Sequence, residues 1–185
     1  TQYDVITMDI NMPVLDGLSA VKEIMASRPT PILMISSLTT QSASITMQAL
    51  ELGAVDYISK PGTMNVGKDV NKQDILEKVK SLSRIPPSRL KNIARREIRR
   101  EVAPATRERV VAQEACGEIK KVLLVGASTG GPGLIEQICS SLPANFPYAV
   151  FIVQHMPEQF TAAFATRLNR VSQLSVVESM HNMEL

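Results

Sequence analysis

Apolar positions in the first part of the chain fall alternately into short β-rich runs and longer stretches at helical spacing. Residues 3–8 read as a strand that delivers Asp9 at its end. A helix is predicted over 17–27, where Leu18, Val21, Ile24 and Met25 share one face, with Asp16-Gly17 as its turn and N-cap. Pro29 and Pro31 close that helix and open a second apolar run at 32–35. A second helix is predicted over 42–52, with Ile45, Met47, Leu50 and Leu52 apolar and Gly53 as its stop. A third strand over 55–58 leads to Lys60-Pro61, and a helix over 72–82 turns Ile75, Leu76, Val79 and Leu82 inward. The same alternation restarts further on. A strand at 121–125, a glycine-rich turn at 126–132 and a helix at 133–142 precede a strand at 148–153 and a helix at 160–171. Strands alternating with helices of this length imply parallel sheets covered on both faces, an α/β class.

Between the two patterns the prolines Pro86, Pro87 and Pro104 bracket a basic stretch. Arg84, Arg89, Lys91, Arg95, Arg96, Arg99, Arg100, Arg107 and Arg109 stand there against Glu97, Glu101 and Glu108. Such a block could meet nucleic acid or an anionic surface. It carries no aromatic residues for base stacking and no DNA-binding motif, so a solvated linker helix is the preferred reading. The predicted organisation is a first domain over 1–82, a linker over 83–117 and a second domain over 118–185. The chain opens at Thr1 directly on a strand pattern and ends at Leu185 without a terminating feature, so both domains are expected to be incomplete.

Composition changes this picture little. The chain has 185 residues, 44% hydrophobic and 21% charged, with a net charge of +2, values that argue against disorder. No apolar run approaches the roughly 20 residues needed to cross a bilayer, so no membrane insertion is expected. Cys116 and Cys139 lack metal-ligand spacing and make no disulfide framework, so both read as reduced thiols in a cytoplasmic protein.

Two clusters carry candidate chemistry. In an open parallel sheet, functional groups gather beyond the carboxyl ends of the strands. Asp9, Ser36 and Lys60 fall at or just after such ends. A carboxylate can attack phosphorus, an ammonium can neutralise the incoming charge, and a hydroxyl can bond a phosphoryl oxygen. A divalent cation is expected as well, to offset repulsion between the carboxylate and a phosphoryl dianion. The run Asp9-Ile-Asn-Met-Pro-Val-Leu-Asp-Gly17 resembles the phosphoacceptor loop of response-regulator receiver domains. Ser36-Ser37 is similar to their switch hydroxyl and its small neighbour, and Tyr57 falls at their rotating aromatic, three residues before Lys60-Pro61. The resemblance implies a flavodoxin-like fold, Asp9 as phosphoacceptor, and a Mg²⁺ held by Asp9 and the Asn11 carbonyl. The family's acidic pair, which supplies the other metal ligands, has no counterpart here, so this sequence alone is expected to bind Mg²⁺ poorly. Met8 and Met12 read as packing residues.

The second cluster begins at Gly126-Ala-Ser128-Thr-Gly130, a G-x-S-x-G pattern. Its glycines let a strand turn sharply into a helix, exposing a serine hydroxyl beside the helix N-terminus, where N–H groups and the dipole favour an oxyanion. Serine needs a base, and His155 ends the next apolar strand. The pattern alone matches many unrelated loops, among them phosphate-cradling ones, although it lacks both the P-loop Lys-Ser/Thr and a G-x-G-x-x-G. His181 has no comparable setting and reads as structural.

Gly126-Ala-Ser-Thr-Gly-Gly-Pro132 and Val153-Gln-His-Met-Pro157 together resemble the signature segments of the chemotaxis protein-glutamate methylesterases, in which a receiver precedes a Rossmann-like α/β esterase domain. The resemblance implies two doubly wound parallel-sheet domains. It assigns Ser128 as nucleophile, His155 as general base and Thr129 as an oxyanion contact. It implies hydrolysis of glutamate γ-methyl esters on methyl-accepting chemoreceptors, deamidation of receptor glutamines, and no cofactor for the esterase. A chemotaxis histidine kinase is the implied phosphodonor, and the receiver is expected to block the esterase until Asp9 is phosphorylated. The family's third member is an aspartate far downstream of the histidine. No aspartate follows Asp74, which leaves Glu136, Glu158 and Glu178, so an incomplete triad and impaired turnover are expected of this sequence. The alternatives are a non-enzymatic response regulator whose basic segment binds nucleic acid, and a hydrolase acting on a small ester or amide.

Overall fold

The computed structural model describes residues 3–60, 72–86, 88, 90 and 121–183. The basic block apart from Arg84 and nearly all of the expected linker, together with Cys116, lie outside those residues. The chain divides into two compact units, residues 1–105 and 106–185. Parallel strands with helices build both.

In the first unit β1 (Ile6–Asp9), β2 (Ile32–Ser36) and β3 (Asp56–Ser59) form a parallel sheet in the order β1-β2-β3. The register pairs Asp9 with Ile35 and Ser36 with Ser59, which brings the three carboxyl ends level. Helices α1 (Gly17–Ser27), α2 (Thr40–Glu51) and α3 (Lys72–Leu82) connect and cover it. Because β2 alternates its side chains, its two faces can be followed separately. Leu33 forms a core with Ile58 and Leu82, against which Ile35, Ile75 and Val79 pack, so α3 covers one face. Ser36 points the other way and receives a hydrogen bond from Thr46 of α2. Helices therefore lie on both faces, and Ile32, Leu33 and Met34 are fully buried between them.

Several expectations shift by a residue or two. Asp9 is the last residue of β1 rather than the residue after it, and α2 starts at Thr40 because Thr39 caps it, accepting from the Ser42 N–H at 3.1 Å. Asp16 caps α1 as expected, accepting from the Ser19 N–H at 2.9 Å. Leu76 does not turn inward: it is exposed, while Leu82 is buried and Ile75 and Val79, partly buried, pack against the core with it. Met8 is buried, as a packing residue should be.

In the second unit β4 (Val122–Ala127) and β5 (Ala149–Gln154) pair in parallel from Val122 with Ala149 to Ala127 with Gln154. Helix α4 (Gly131–Ser141) follows β4, and α5 (Glu158–Val171) follows β5 and packs on α4. Strand β4 runs two residues further than expected and α4 begins two residues earlier, which compresses the turn to Ser128, Thr129 and Gly130. Ile135 and Cys139 of α4 and Phe160, Phe164 and Leu168 of α5 are buried. Among them lies an ion pair in which Arg167 Nε donates to Glu136 Oε2 at 2.8 Å and Nη2 donates to the same oxygen. Cys139 is a free, buried thiol, and burial pushes its pKa up. No helix among the described residues is long and apolar enough to cross a membrane.

Candidate functional sites

The carboxyl end of the first sheet assembles Asp9 and Lys60. Lys60 follows β3 immediately, and its N–H donates to the Ser36 carbonyl at 2.7 Å, which anchors the lysine to the neighbouring strand end. Its ammonium donates to Asp9 Oδ2 at 2.7 Å, while the Ile10 N–H donates to Asp9 Oδ1 at 2.7 Å. Partial burial raises the carboxyl's pKa, but the Lys60 hydrogen bond, the Ile10 N–H, the Lys60 charge and the Asn11 N–H together outweigh it, so the net value is lowered. Asp9 is ionised and paired, though each side chain keeps more than a third of its surface exposed.

The loop that follows Asp9 is held by a close approach. The Gly17 N–H donates to the Ile10 carbonyl at 2.9 Å, and a Cβ on Gly17 would sit 2.1 Å from the Asp9 carbonyl oxygen. Only glycine lets α1 start so near the strand end. The Leu15 N–H closes on the Pro13 carbonyl at 2.9 Å around Val14, whose φ is 71°. This is a γ-turn of the strained kind, and Val14 stands fully in solvent at its tip.

Ser36 and Tyr57 are both buried next to this strand edge. The Ser36 hydroxyl is buried, donates to the Ser37 carbonyl at 3.2 Å and accepts from Thr46 Oγ1 at 2.9 Å, so it is tied to α2. Thr46 Oγ1 also lies 2.7 Å from the Ser42 carbonyl, so its single proton is shared between Ser36 Oγ and that carbonyl, and Ser42 Oγ lies 2.7 Å from Ser37 Oγ. A chain of hydroxyls thus runs from the strand end into the helix. Tyr57 is buried, and burial beside Asp56 pushes its phenol well above the usual value. Lys78 of α3 pairs with Asp56 at 2.8 Å and stands 5.9 Å from the Tyr57 ring centre.

Among the described residues no group of three or more His, Cys, Asp and Glu side chains could hold a metal ion. Both Asp9 oxygens are already engaged, and the Asn11 N–H also stands close to the carboxylate. One carboxylate and one carbonyl do not fit a Mg²⁺ site by themselves.

At the end of the second sheet Ser128 leaves β4 on the tight turn and His155 leaves β5. The His155 N–H donates to the Ala127 carbonyl at 2.9 Å, which locks the two strand ends together. Ser128 Oγ and His155 Nδ1 are then 3.5 Å apart, both exposed. For Nδ1 to accept the hydroxyl proton, the ring proton must sit on Nε2. The separation is long for a hydrogen bond, as catalytic pairs often are before substrate arrives. Gly130 adopts φ 70° to close the turn. The Gly131 N–H donates to the Ser128 carbonyl at 2.8 Å and Pro132 has no N–H, so the first turn of α4 presents fewer free donors than the motif suggested. Thr129 is exposed beside Ser128.

The three glutamates that remained as candidate partners for His155 stand elsewhere. Glu136 is bound by Arg167, Glu178 accepts from Thr161 Oγ1, and Glu158 is exposed in the first turn of α5. Gln154, which the motif reading passed over, reaches the Ser128 and His155 carbonyls with its amide nitrogen at 3.0 and 3.1 Å. His181 lies exposed in a turn.

Comparison with known proteins decides the family. Residues 1–79 match the response regulator receiver domain, and residues 123–185 match the CheB methylesterase. A protein-glutamate methylesterase/protein-glutamine glutaminase of Carboxydothermus hydrogenoformans is 47% identical over 180 residues, covering 95% of this chain and 49% of that protein. The chain belongs to the protein-glutamate methylesterase/protein-glutamine glutaminase family. Another member, from Halobacterium salinarum, is 41% identical over 96% of this chain and 49% of its own length. The solved response regulator domain of Thermotoga maritima CheB is 45% identical, covering 45% of this chain and 63% of that one, with a TM-score of 0.37. The chain spans about half the length of the methylesterase relatives it matches. Neither matched domain is a nucleic-acid-binding one, which leaves that alternative without support.

Proposed function

We propose that the protein of which this chain is part is a phosphorylation-regulated serine esterase of the cytoplasm. Its substrates are the glutamate γ-methyl esters of methyl-accepting chemoreceptors, and receptor glutamines are deamidated by the same machinery. The observation that carries this reading is the meeting of Ser128 Oγ and His155 Nδ1 at adjacent parallel strand ends.

Ser128 Oγ attacks the ester carbonyl while His155 takes its proton. The tetrahedral oxyanion forms at the N-terminal end of α4, with Thr129 beside it. Collapse breaks the bond to the methoxy group, which leaves as methanol with the proton from His155. Water then attacks the acyl-serine with His155 as base, freeing glutamate and regenerating the hydroxyl. For glutamine the leaving group is ammonia. None of Glu136, Glu158 and Glu178 is assigned as the acid that orients the imidazolium.

Asp9 is the proposed phosphoacceptor, with Lys60 as the cation that meets the phosphoryl group, and Ser36 and Tyr57 as the groups that reorient. A histidine kinase supplies the phosphoryl group. The Mg²⁺ that such chemistry uses is not held by these residues alone, so no step is assigned to it. The proposed domain limits are those of the sequence, 1–82, 83–117 and 118–185.

Methanol release from methylated receptor membranes by the full-length protein tests the esterase. Release that vanishes in Ser128→Ala is the expected result. Undiminished release in that variant would remove Ser128 from the chemistry.

A further inference from the structure

We infer that Gln154 is a positioning residue for the hydrolytic pair, its amide group acting as a clamp that sets Ser128 against His155. The inference rests on the esterase reading of that pair and deepens it.

Gln154 ends β5 opposite Ala127 of β4, so its side chain starts level with the point where both strands release their functional residues. Its amide nitrogen lies 3.0 Å from the Ser128 carbonyl and 3.1 Å from the His155 carbonyl. Two carbonyl acceptors fix which end of the amide is which, since only an NH₂ group can donate to both. Each of its hydrogens has a partner. One side chain thus ties together two residues that stand 27 positions apart.

Both peptide groups are held from more than one side. The Ser128 carbonyl also accepts the Gly131 N–H at 2.8 Å, so its two lone pairs are both used. His155 is fixed through its N–H to Ala127 and through its carbonyl to Gln154. Fixing these groups fixes the backbone from which Ser128 Cβ and the imidazole project. A nucleophile and base without such support lose rate steeply with small displacements.

The other end of the amide shows that the arrangement is not simply good packing. Among the described residues, Gln154 Oε1 is buried without a hydrogen-bond partner. A Cβ on Gly131 would fall 2.1 Å from that oxygen, so the absence of a side chain at Gly131 makes its room. An apolar side chain of the same length would fill the space without burying an unsatisfied carbonyl, and burying one is unfavourable. The orphaned oxygen is the consequence of placing the NH₂ group on the two carbonyls.

The test compares Gln154→Met, Gln154→Glu and Ser128→Ala with the full-length protein in methanol release from methylated receptor membranes, with thermal melts alongside. Gln154→Met keeps the length and removes both hydrogen bonds; kcat should fall about tenfold to a hundredfold with KM and the melt unchanged. Gln154→Glu keeps the shape but turns acceptors toward two carbonyls. Its kcat should fall at least as far at neutral pH, and its ratio to wild type should rise as acid protonates the new carboxyl and restores one donor. Wild-type kcat in both Gln154 variants, with Ser128→Ala inactive, overturns the clamp and leaves the esterase reading intact. A kcat loss in Gln154→Met that only tracks a lowered melt, with a pH-independent ratio in Gln154→Glu, also overturns it. Full release by Ser128→Ala overturns the esterase reading and the clamp with it.

Discussion

Asp9 and Ser128 both stand at the carboxyl ends of parallel strands, yet the two units hold them in opposite ways. Asp9 is engaged at both oxygens, one by a backbone N–H and one by the Lys60 ammonium at 2.7 Å. Ser128 faces His155 across 3.5 Å with both side chains in solvent, and what is fixed is the backbone beneath them. A carboxylate is charged before any reaction, so its counter-charge can be in place in the resting state. A serine develops charge only as it attacks, so the resting protein can fix only the frame from which the hydroxyl projects.

The largest effect that could break this comparison is in the second unit. Ser128→Ala should lower methanol release by about 10⁴-fold or more, because the variant has no nucleophilic hydroxyl at that position. A loss of tenfold or less would mean that the open pair is not the reacting one. The next effect separates framework from site. Arg167→Met removes the buried guanidinium that pairs with Glu136, and unfolding free energy should fall by about 3–5 kcal/mol, read from a denaturant titration. An unchanged midpoint would show that the helix pair α4 and α5 does not depend on that ion pair.

In the first unit, Gly17→Ala drives a Cβ to within 2.1 Å of the Asp9 carbonyl oxygen. A loss of about 1–3 kcal/mol is expected, again by denaturant, and a neutral result would mean that α1 can retreat from the strand end freely. The smallest effect belongs to Lys60→Met. The pair is more than a third exposed, so solvent screening limits its stabilisation to about 1 kcal/mol or less. Asp9's folded pKa is lowered, so this contribution is present above its unfolded value and is lost as pH falls through the folded one. Wild type and Lys60→Met should therefore converge in stability in strong acid and differ slightly at neutral pH. A difference that grows with acidity would contradict the assigned pairing.

Elements and strand ends were legible because periodicity and turn residues are local. Asp16 and Thr39 cap helices through their own sequence neighbours, and Asp9 and Lys60 meet because parallel strands deliver their ends to one edge. What was not legible depends on side chains packing across elements. The Thr46 hydroxyl on Ser36, the Arg167–Glu136 pair and the Gln154 amide on two carbonyls join residues 10 to 31 positions apart, apart from the bond Gln154 makes to its neighbour His155. Leu76 is apolar and fits a helical stripe in the sequence, but α3 packs only a narrow stripe against the core and leaves it exposed. A sequence signal for Gln154 was present in its position before His155 and in Gly131, which has no side chain to compete for its space.

The measurement that bears most directly on the account is receptor demethylation by the full-length protein titrated with a small-molecule phosphodonor. Wild type, Asp9→Asn and Ser128→Ala would be compared side by side. The account predicts a rate that climbs with phosphodonor in wild type, stays flat in Asp9→Asn and is absent in Ser128→Ala at every concentration. Equal stimulation of wild type and Asp9→Asn, or release by Ser128→Ala, would contradict it.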